Sequence, residues 1–555
     1  MRLPSRPNLE HLKTQAKDLL TLCRQGDAGA LGRIREALPA ARGKSDAEIV
    51  GLRLRDMQSC VAREYGFPSW TDLKSFVEAS TAQGSNNAGA AAVAWLRLVY
   101  AADIADGMNR ERPSAAARML EENPQLAGGD PYAACAAGDE AALRRATGQD
   151  AAWVNRPGGP LDLPPLVAVT HSGLVRLPAY REKLRACARF LLQAGADPGQ
   201  AVGSRWPPAS LSEPSEEFRL SALYGAAGRN RDPELTQLLL QAGADPNDGE
   251  SLYHALESVA CTRLLLEGGA RIAGSNAMYR VMDIDNIEAL RLLLAHGGDP
   301  NEPARFGPPT TDWGSPLLWA IRRRRSRAHV EALIEAGADA SATTPDGTRA
   351  HTWALWFGLP EVAGLLAEAG GAAGPPPSEA DLFIAACARA DATAAKAILA
   401  RQPGLVGQLT EPQLRLLPEL AAEGCGEAAR VMVELGWPIA TRGGDWSASA
   451  LNHAVFRGDA ALARFLLEHG ASWKEEHGHG DNACGTLGWA SCNEPVEGGD
   501  WLGCAEALVA HGMPAARPDP QAPDGAIVDG RRKRFSEEVT QLLLEAGQRA
   551  KSRVD

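Results

Sequence analysis

The sequence predicts an all-α fold built from stacked helix pairs, preceded by a small helical module. Three observations carry that prediction. One phrase recurs along most of the chain, a second phrase precedes it at a regular distance, and the first eighty residues lack both. Internal repeats take precedence over any motif, because missing them misreads the whole fold.

The first phrase appears as "LLQAGADP" ending at Pro198, "LLLQAGADPND" ending at Asp248, "LLLEGGA" ending at Ala270 and "LLLAHGGDPNE" ending at Glu302. It continues as "LIEAGADA", "LLAEAGG", "VMVELGW", "FLLEHGA", "LVAHGMP" and "LLLEAGQ". Its shared glycines are Gly195, Gly243, Gly269, Gly297, Gly337, Gly370, Gly436, Gly470, Gly512 and Gly547. The long interval between Gly370 and Gly436 holds a degenerate copy, "AILARQPGLV", around Pro403 and Gly404. The apolar run reads as the buried face of a short helix. Glycine after it supplies a left-handed cap, and Asp-Pro then turns the chain away from helix.

The second phrase is "PPLVAV", "SALYGA", "SLYHAL", "SPLLWA", "DLFIAA", "SALNHA" or "GTLGWA". Ser or Thr at its start caps a helix, with Thr486 as the cap in the last copy, and its Ala permits close helix approach. The two phrases together make a helix, a tight connection and a second helix.

This pattern resembles the ankyrin repeat, whose hallmark is T-P-L-H-x-A on a 33-residue period. "SPLLWA" and "SALNHA" match it best, although Leu318 and Asn452 stand where the hallmark has His. The resemblance spans roughly residues 110 to 548, with degenerate copies near 119 to 146, and implies an ankyrin-repeat solenoid of about a dozen units. It also implies that the first helices line a concave inner side. The expected organisation is a helical module over 1–80, a linker over 81–92, the array over 93–548 and a tail over 549–555. In the module, Leu12, Ala16, Leu19, Leu20 and Cys23 share a helical face and Ser69 is an N-cap. Module and array resemble a group of bacterial proteins, a resemblance that implies no activity. The stretch "GGAAGPPPSEAD" offers a hinge within 371 to 430.

Composition narrows the function. The 555 residues are 45% hydrophobic and 23% charged with a formal net charge of -12, which argues against a nucleic-acid partner. Ten scattered Cys without a CxxC pair read as reduced thiols. No apolar run approaches a membrane span and the N-terminus has no signal-type apolar stretch, so a cytoplasmic protein without a membrane partner is expected.

Three insertions interrupt the pattern: 199–217, which reads as a solvated flap; 299–314; and 472–485, with a lengthened connection at 492–503. Nine of the 13 Trp lie between 313 and 501, which draws attention to the second and third insertions. Exposed indole on a concave face is typical of binding hot spots. The expected binding residues are therefore Trp313, Trp319, Arg322, Trp353, Trp356, His477, His479, Trp489 and Trp501, facing a protein partner.

Other chemistry reads more weakly. His477, His479, Cys484, Cys492 and Cys504 are zinc-type ligands at spacings that fit no standard site. Cys484 beside His479 or Asp481 would be a thiolate pair favoured by a helix start. No metal and no cofactor is expected. An alternative reading is an enzyme or small-ligand binder that uses Asp312, His479, Asp481 and Asp500 in a pocket between 299–314 and 472–503. The basic runs "IRRRRSRAHVEAL" and "GRRKRF" read as solvated loop charge, and "GGAAGPPP" is a turn, not a phosphate loop.

Overall fold

The structure, a computed structural model, describes residues 3–4, 7–83, 88–106, 110–305, 310–372, 375–521 and 525–551. Parts of the expected linker (84–87), of the second insertion (306–309), of the Pro turn (373–374) and of the tail (552–555) lie outside the described residues. The chain divides into two compact units, Met1–Ala277 and Met278–Asp555. Helix accounts for 59% of residues and strand for 5%, so the chain is mostly helical, with small antiparallel sheets that the repeat pattern did not announce.

The first unit opens with helix Leu9–Arg24, capped by the Asn8 side chain and packed on helix Leu54–Glu64. Leu12, Ala16, Leu19 and Cys23 are buried, as their spacing predicts, and Leu20 is half-buried. The Ser69 hydroxyl accepts the Asp72 N–H at 3.1 Å and caps helix Trp70–Gln83. The expected linker is largely helix: Trp70–Gln83 is followed by Ala88–Val99, which packs against it. The physical reason is the alanine run, which favours helix over coil.

Helix pairs follow. Pro131–Ala137 pairs with Glu140–Gln149, Pro165–Thr170 with Pro178–Gln193, Ala222–Tyr224 with Pro233–Gln241, and Ser251–Ala255 with Val259–Glu267. First helices pack on first helices and second on second. The 199–217 insertion is not simply a solvated flap. Its ends form the hairpin Ala201–Gly203 with Arg219–Ser221, and Arg205 is buried. The Arg205 N–H donates to the Asp103 carbonyl at 2.8 Å and its guanidinium to the Ile104 carbonyl, because a buried guanidinium needs acceptors.

The second unit repeats the scheme through Pro316–Arg322 with Arg327–Glu335, Ala350–Trp356 with Pro360–Glu368, and Glu379–Ala388 with Ala392–Arg401. Leu416–Ala422 with Gly426–Glu434, Ala450–Arg457 with Ala460–Glu468, and Ala483–Asn493 with Trp501–Ala510 complete it. The pattern shifts where a hinge was expected: helix Glu379–Ala388 packs on Gly426–Glu434, and Phe383 stacks on Trp437 at 5.5 Å.

Nine of the ten shared glycines, from Gly195 to Gly512, have φ between +84° and +97°. The next residue's N–H reaches back to close each helix, as Ala338 does to the Leu333 carbonyl at 2.9 Å. Gly547 departs from this. It lies inside helix Glu537–Lys551, because the residues after it are helix formers rather than Asp-Pro, and that helix also enters the expected tail.

Neighbouring pairs are clamped by an asparagine that follows the turn. The Asn301 amide donates to the Gly337 carbonyl and accepts the Asp339 N–H, both at 2.8 Å. Asn155 and Asn247 do the same one pair further on in the first unit. First helices are capped by Ser221, Ser315, Ser378 and Ser449. Thr486 is not a cap: Asn482 caps that helix, and the Thr486 hydroxyl donates to Asn452 at 2.9 Å.

These backbone roles give opposite expectations for two glycines. A Cβ at Gly337 meets no atom but is forced to φ +97°, so Gly337→Ala loses about 1 kcal/mol. Gly364 is exposed inside helix Pro360–Glu368 with equal room, so Gly364→Ala gains about 0.5–1 kcal/mol. Urea midpoints that move in opposite directions check both.

Candidate functional site

The basic run at 321–333 is a packed ion cluster, which corrects the expectation of solvated charge. Arg322 is only 2% exposed. It pairs with Glu419 Oε2 at 3.1 Å and lies 2.7 Å from Asp445 Oδ1. Arg323 reaches Asp283 at 2.8 Å, Asp445 at 2.7 Å and Glu423 at 3.4 Å. The C-terminal end of helix Pro316–Arg322 thereby meets helix Leu416–Ala422 and the hairpin Arg442–Gly443 with Ala448–Ser449. A guanidinium in that position leaves water only if carboxylates replace it. Burial alone would raise the Asp445 carboxyl, but Arg322 and Arg323 outweigh it and hold it below its ordinary value. Burial raises the Glu423 carboxyl in spite of Arg323.

Five of the six expected binding indoles are interior, which corrects the expectation of exposed indole. Trp319 lies under both guanidiniums, with Arg322 at 4.9 Å and Arg323 at 4.5 Å from its ring, and its N–H donates to Asp283 at 3.1 Å. Trp313 packs on Trp353 at 4.6 Å, and Trp353 donates to the Thr344 hydroxyl. Trp356 donates to Asp381 at 2.8 Å, and Trp501 to the Phe456 carbonyl at 3.3 Å. Each indole is buried and finds a hydrogen-bond acceptor or an aromatic neighbour, as a core indole does.

Trp489 is the exception. It is 50% exposed and lies flat on Phe456, with ring centroids 5.5 Å apart and planes 7° apart. Phe456 meets Trp446 at 5.7 Å, Trp446 meets His477 at 4.9 Å, and His477 meets His479 at 5.8 Å. A ladder of rings thus runs from a first helix to the finger at 472–485. His477 is buried on Trp446, so it is a packing residue rather than a finger tip, and burial lowers its imidazole. His479 is exposed. Phe456 carried no signal in the sequence, and Trp446 was one of the nine clustered Trp without being an expected binding residue. Trp489 carried one, because it sits beside the Ala of a first helix, at the motif position that Trp319, Trp353 and His453 hold in other pairs.

Two of the four groups of the alternative enzyme reading, Asp481 and Asp500, serve local structure. Asp481 pairs with Lys533 of strand Arg531–Arg534, which ties the second basic run to the finger. Asp500 caps helix Trp501–Ala510 by accepting the Gly503 N–H at 2.9 Å. Asp312 is exposed in the short helix Thr310–Trp313. Cys484 stands at a helix start, as expected, yet burial pushes its thiol up to about 11 in spite of the nearby Lys533 charge. Among the described residues, no group of three or more His, Cys, Asp or Glu stands in metal-holding geometry.

The first unit holds a polar cluster that the sequence did not reveal. Arg229 pairs with Asp103 and donates to the Tyr224 hydroxyl at 3.1 Å, and Tyr224 packs between His171 and His254. Burial lowers His171 to about 3, so it is a neutral interior imidazole. The cluster ties the segment Ala102–Ala105 to the helix pair that begins at Ala222.

No family model matches the chain, and no curated protein sequence matches it.

Two of the three cysteines of this region, Cys484 and Cys492, are expected to separate chemically. At pH 8, iodoacetamide labels exposed Cys492 readily and leaves buried Cys484 largely unmodified in the folded protein. Mass spectrometry of the labelled peptides reads this. Rapid labelling of Cys484 would restore the thiolate reading.

Proposed function

We propose that the chain is an ankyrin-type scaffold that binds a protein partner in its second unit. The observation that carries this reading is the half-exposed Trp489, held flat against Phe456 beside Trp446. An aromatic ring already fixed by its neighbour loses little conformational freedom on binding, which is the character of an interface anchor. The ankyrin assignment is supported by helix pairs closed by left-handed glycines, by first-on-first and second-on-second packing within each unit, and by the Asn clamps. The binding surface differs from the one the Trp count suggested: Trp313, Trp319, Trp353, Trp356 and Trp501 hold the fold, and Trp489 with its ring ladder meets the partner.

The ten cysteines form no disulfide, which supports a reducing compartment and a cytoplasmic partner. Among the described residues, no helix is long and apolar enough to cross a membrane.

Affinity capture from a native lysate tests the reading. Trp489→Ala removes the anchor together with its stack on Phe456, at a cost of about 1 kcal/mol. It is expected to lose the captured protein that wild type retains while still unfolding in one cooperative transition at a slightly lower temperature. The same captured set from both proteins would refute the reading.

A further inference from the structure

The recurrence of one motif position in differently covered forms says what the open face of Trp489 would hold. At Trp319 the chain covers the indole with its own guanidiniums, Arg322 and Arg323, whose charges end on Glu419, Glu423, Asp283 and Asp445. At His453 the hairpin indole Trp446 covers the ring at 4.8 Å. At Trp489, Phe456 covers one face, and half of the side chain is left to solvent.

The two connections that flank the Trp489 helix are acidic. The connections on either side of its helix, 472–485 and 492–503, carry Glu475, Glu476, Asp481, Glu494, Glu497 and Asp500 against a single Lys474. Asp481 is taken by Lys533, and Asp500 caps a helix. Glu476, Glu494 and Glu497 are exposed, and Glu494 terminates the helix that carries Trp489. The basic strand Arg531–Arg534 packs on this helix, with the Arg534 carbonyl against Gly488; Lys533 is taken by Asp481, Arg532 lies 3.4 Å from Asp519, and Arg531 and Arg534 are exposed.

We infer that Trp489 receives an arginine side chain of the partner, with Glu494 and Glu497 supplying the opposing charge. The inference rests on the protein-binding reading of this surface and adds the chemistry of the partner. A guanidinium is planar and weakly hydrated, so it stacks on an indole while its edge meets carboxylates, as Arg322 and Arg323 do inside the fold. The occupant is therefore a basic segment, and an acidic or purely apolar one is disfavoured.

Fluorescence anisotropy with the full chain tests this. The probes are a fluorescein-labelled Gly-Ser-Arg-Gly-Ser-Arg-Gly-Ser-Arg peptide and its counterparts with Gln or Glu in place of Arg. The Arg peptide is expected to bind most tightly and the Glu peptide least. Trp489→Ala, which keeps every charge, is expected to weaken the Arg peptide about five-fold, and Trp489→Phe less. Glu494→Gln with Glu497→Gln is expected to weaken it to a similar degree. Equal binding of the Arg and Gln peptides overturns the inference. So does unchanged binding by Trp489→Ala, which would mark the attraction as diffuse charge. If capture from lysate depends on Trp489 while the Arg peptide is ignored, this inference falls and the protein-binding reading stands. If the Arg peptide depends on Trp489 while capture does not, the arginine site stands and that reading falls.

Discussion

Two guanidiniums removed from water constrain the second unit more than any other interaction. Arg322 and Arg323 are neighbours in the chain, yet their carboxylates come from residues 97 to 123 positions further on as well as from Asp283. The desolvation cost of a buried guanidinium is several kcal/mol and is recovered only through well-placed carboxylates. Helix Pro316–Arg322, helix Leu416–Ala422 and the hairpin around Asp445 must therefore keep one arrangement. Trp319 under the guanidiniums, Trp313 beside Trp353, and Trp446 next to Asp445 pack around that arrangement.

That constraint explains why the aromatic residues divide into two roles. Indoles at 313, 319, 353, 356 and 501 have neighbours on the adjacent helix pairs and are consumed by the interior. Trp489 occupies the same motif position as Trp319, which lies under Arg322 and Arg323, but Trp489 stacks on Phe456 and is half exposed. Position in the motif sets the direction of the side chain. The neighbouring pair decides whether it is buried.

The same distinction marks what could be read from the sequence. Helix pairs, left-handed glycines and serine caps are local, so a few residues determine each, and Gly195 through Gly512 behave as their phrase requires. Gly547 shows the limit: the phrase is intact, yet the following residues continue the helix. The run "IRRRR" looked solvated because its carboxylates lie far along the chain. The Asn clamps were equally visible as letters, but their partners belong to the next pair. Of the candidate site, Trp489 and His479 were legible as exposed groups. Phe456 and Trp446 were not, because stacking depends on how adjacent pairs meet.

Arg322, 2% exposed and held by carboxylates of its own chain, is a structural tie and not a binding group. A double-mutant cycle on Arg322→Met and Glu419→Gln, read by urea unfolding of the whole chain, tests it most directly. The two losses are expected to be strongly non-additive, with a coupling of about 2 kcal/mol or more. Losses that add to within about 0.5 kcal/mol would contradict it.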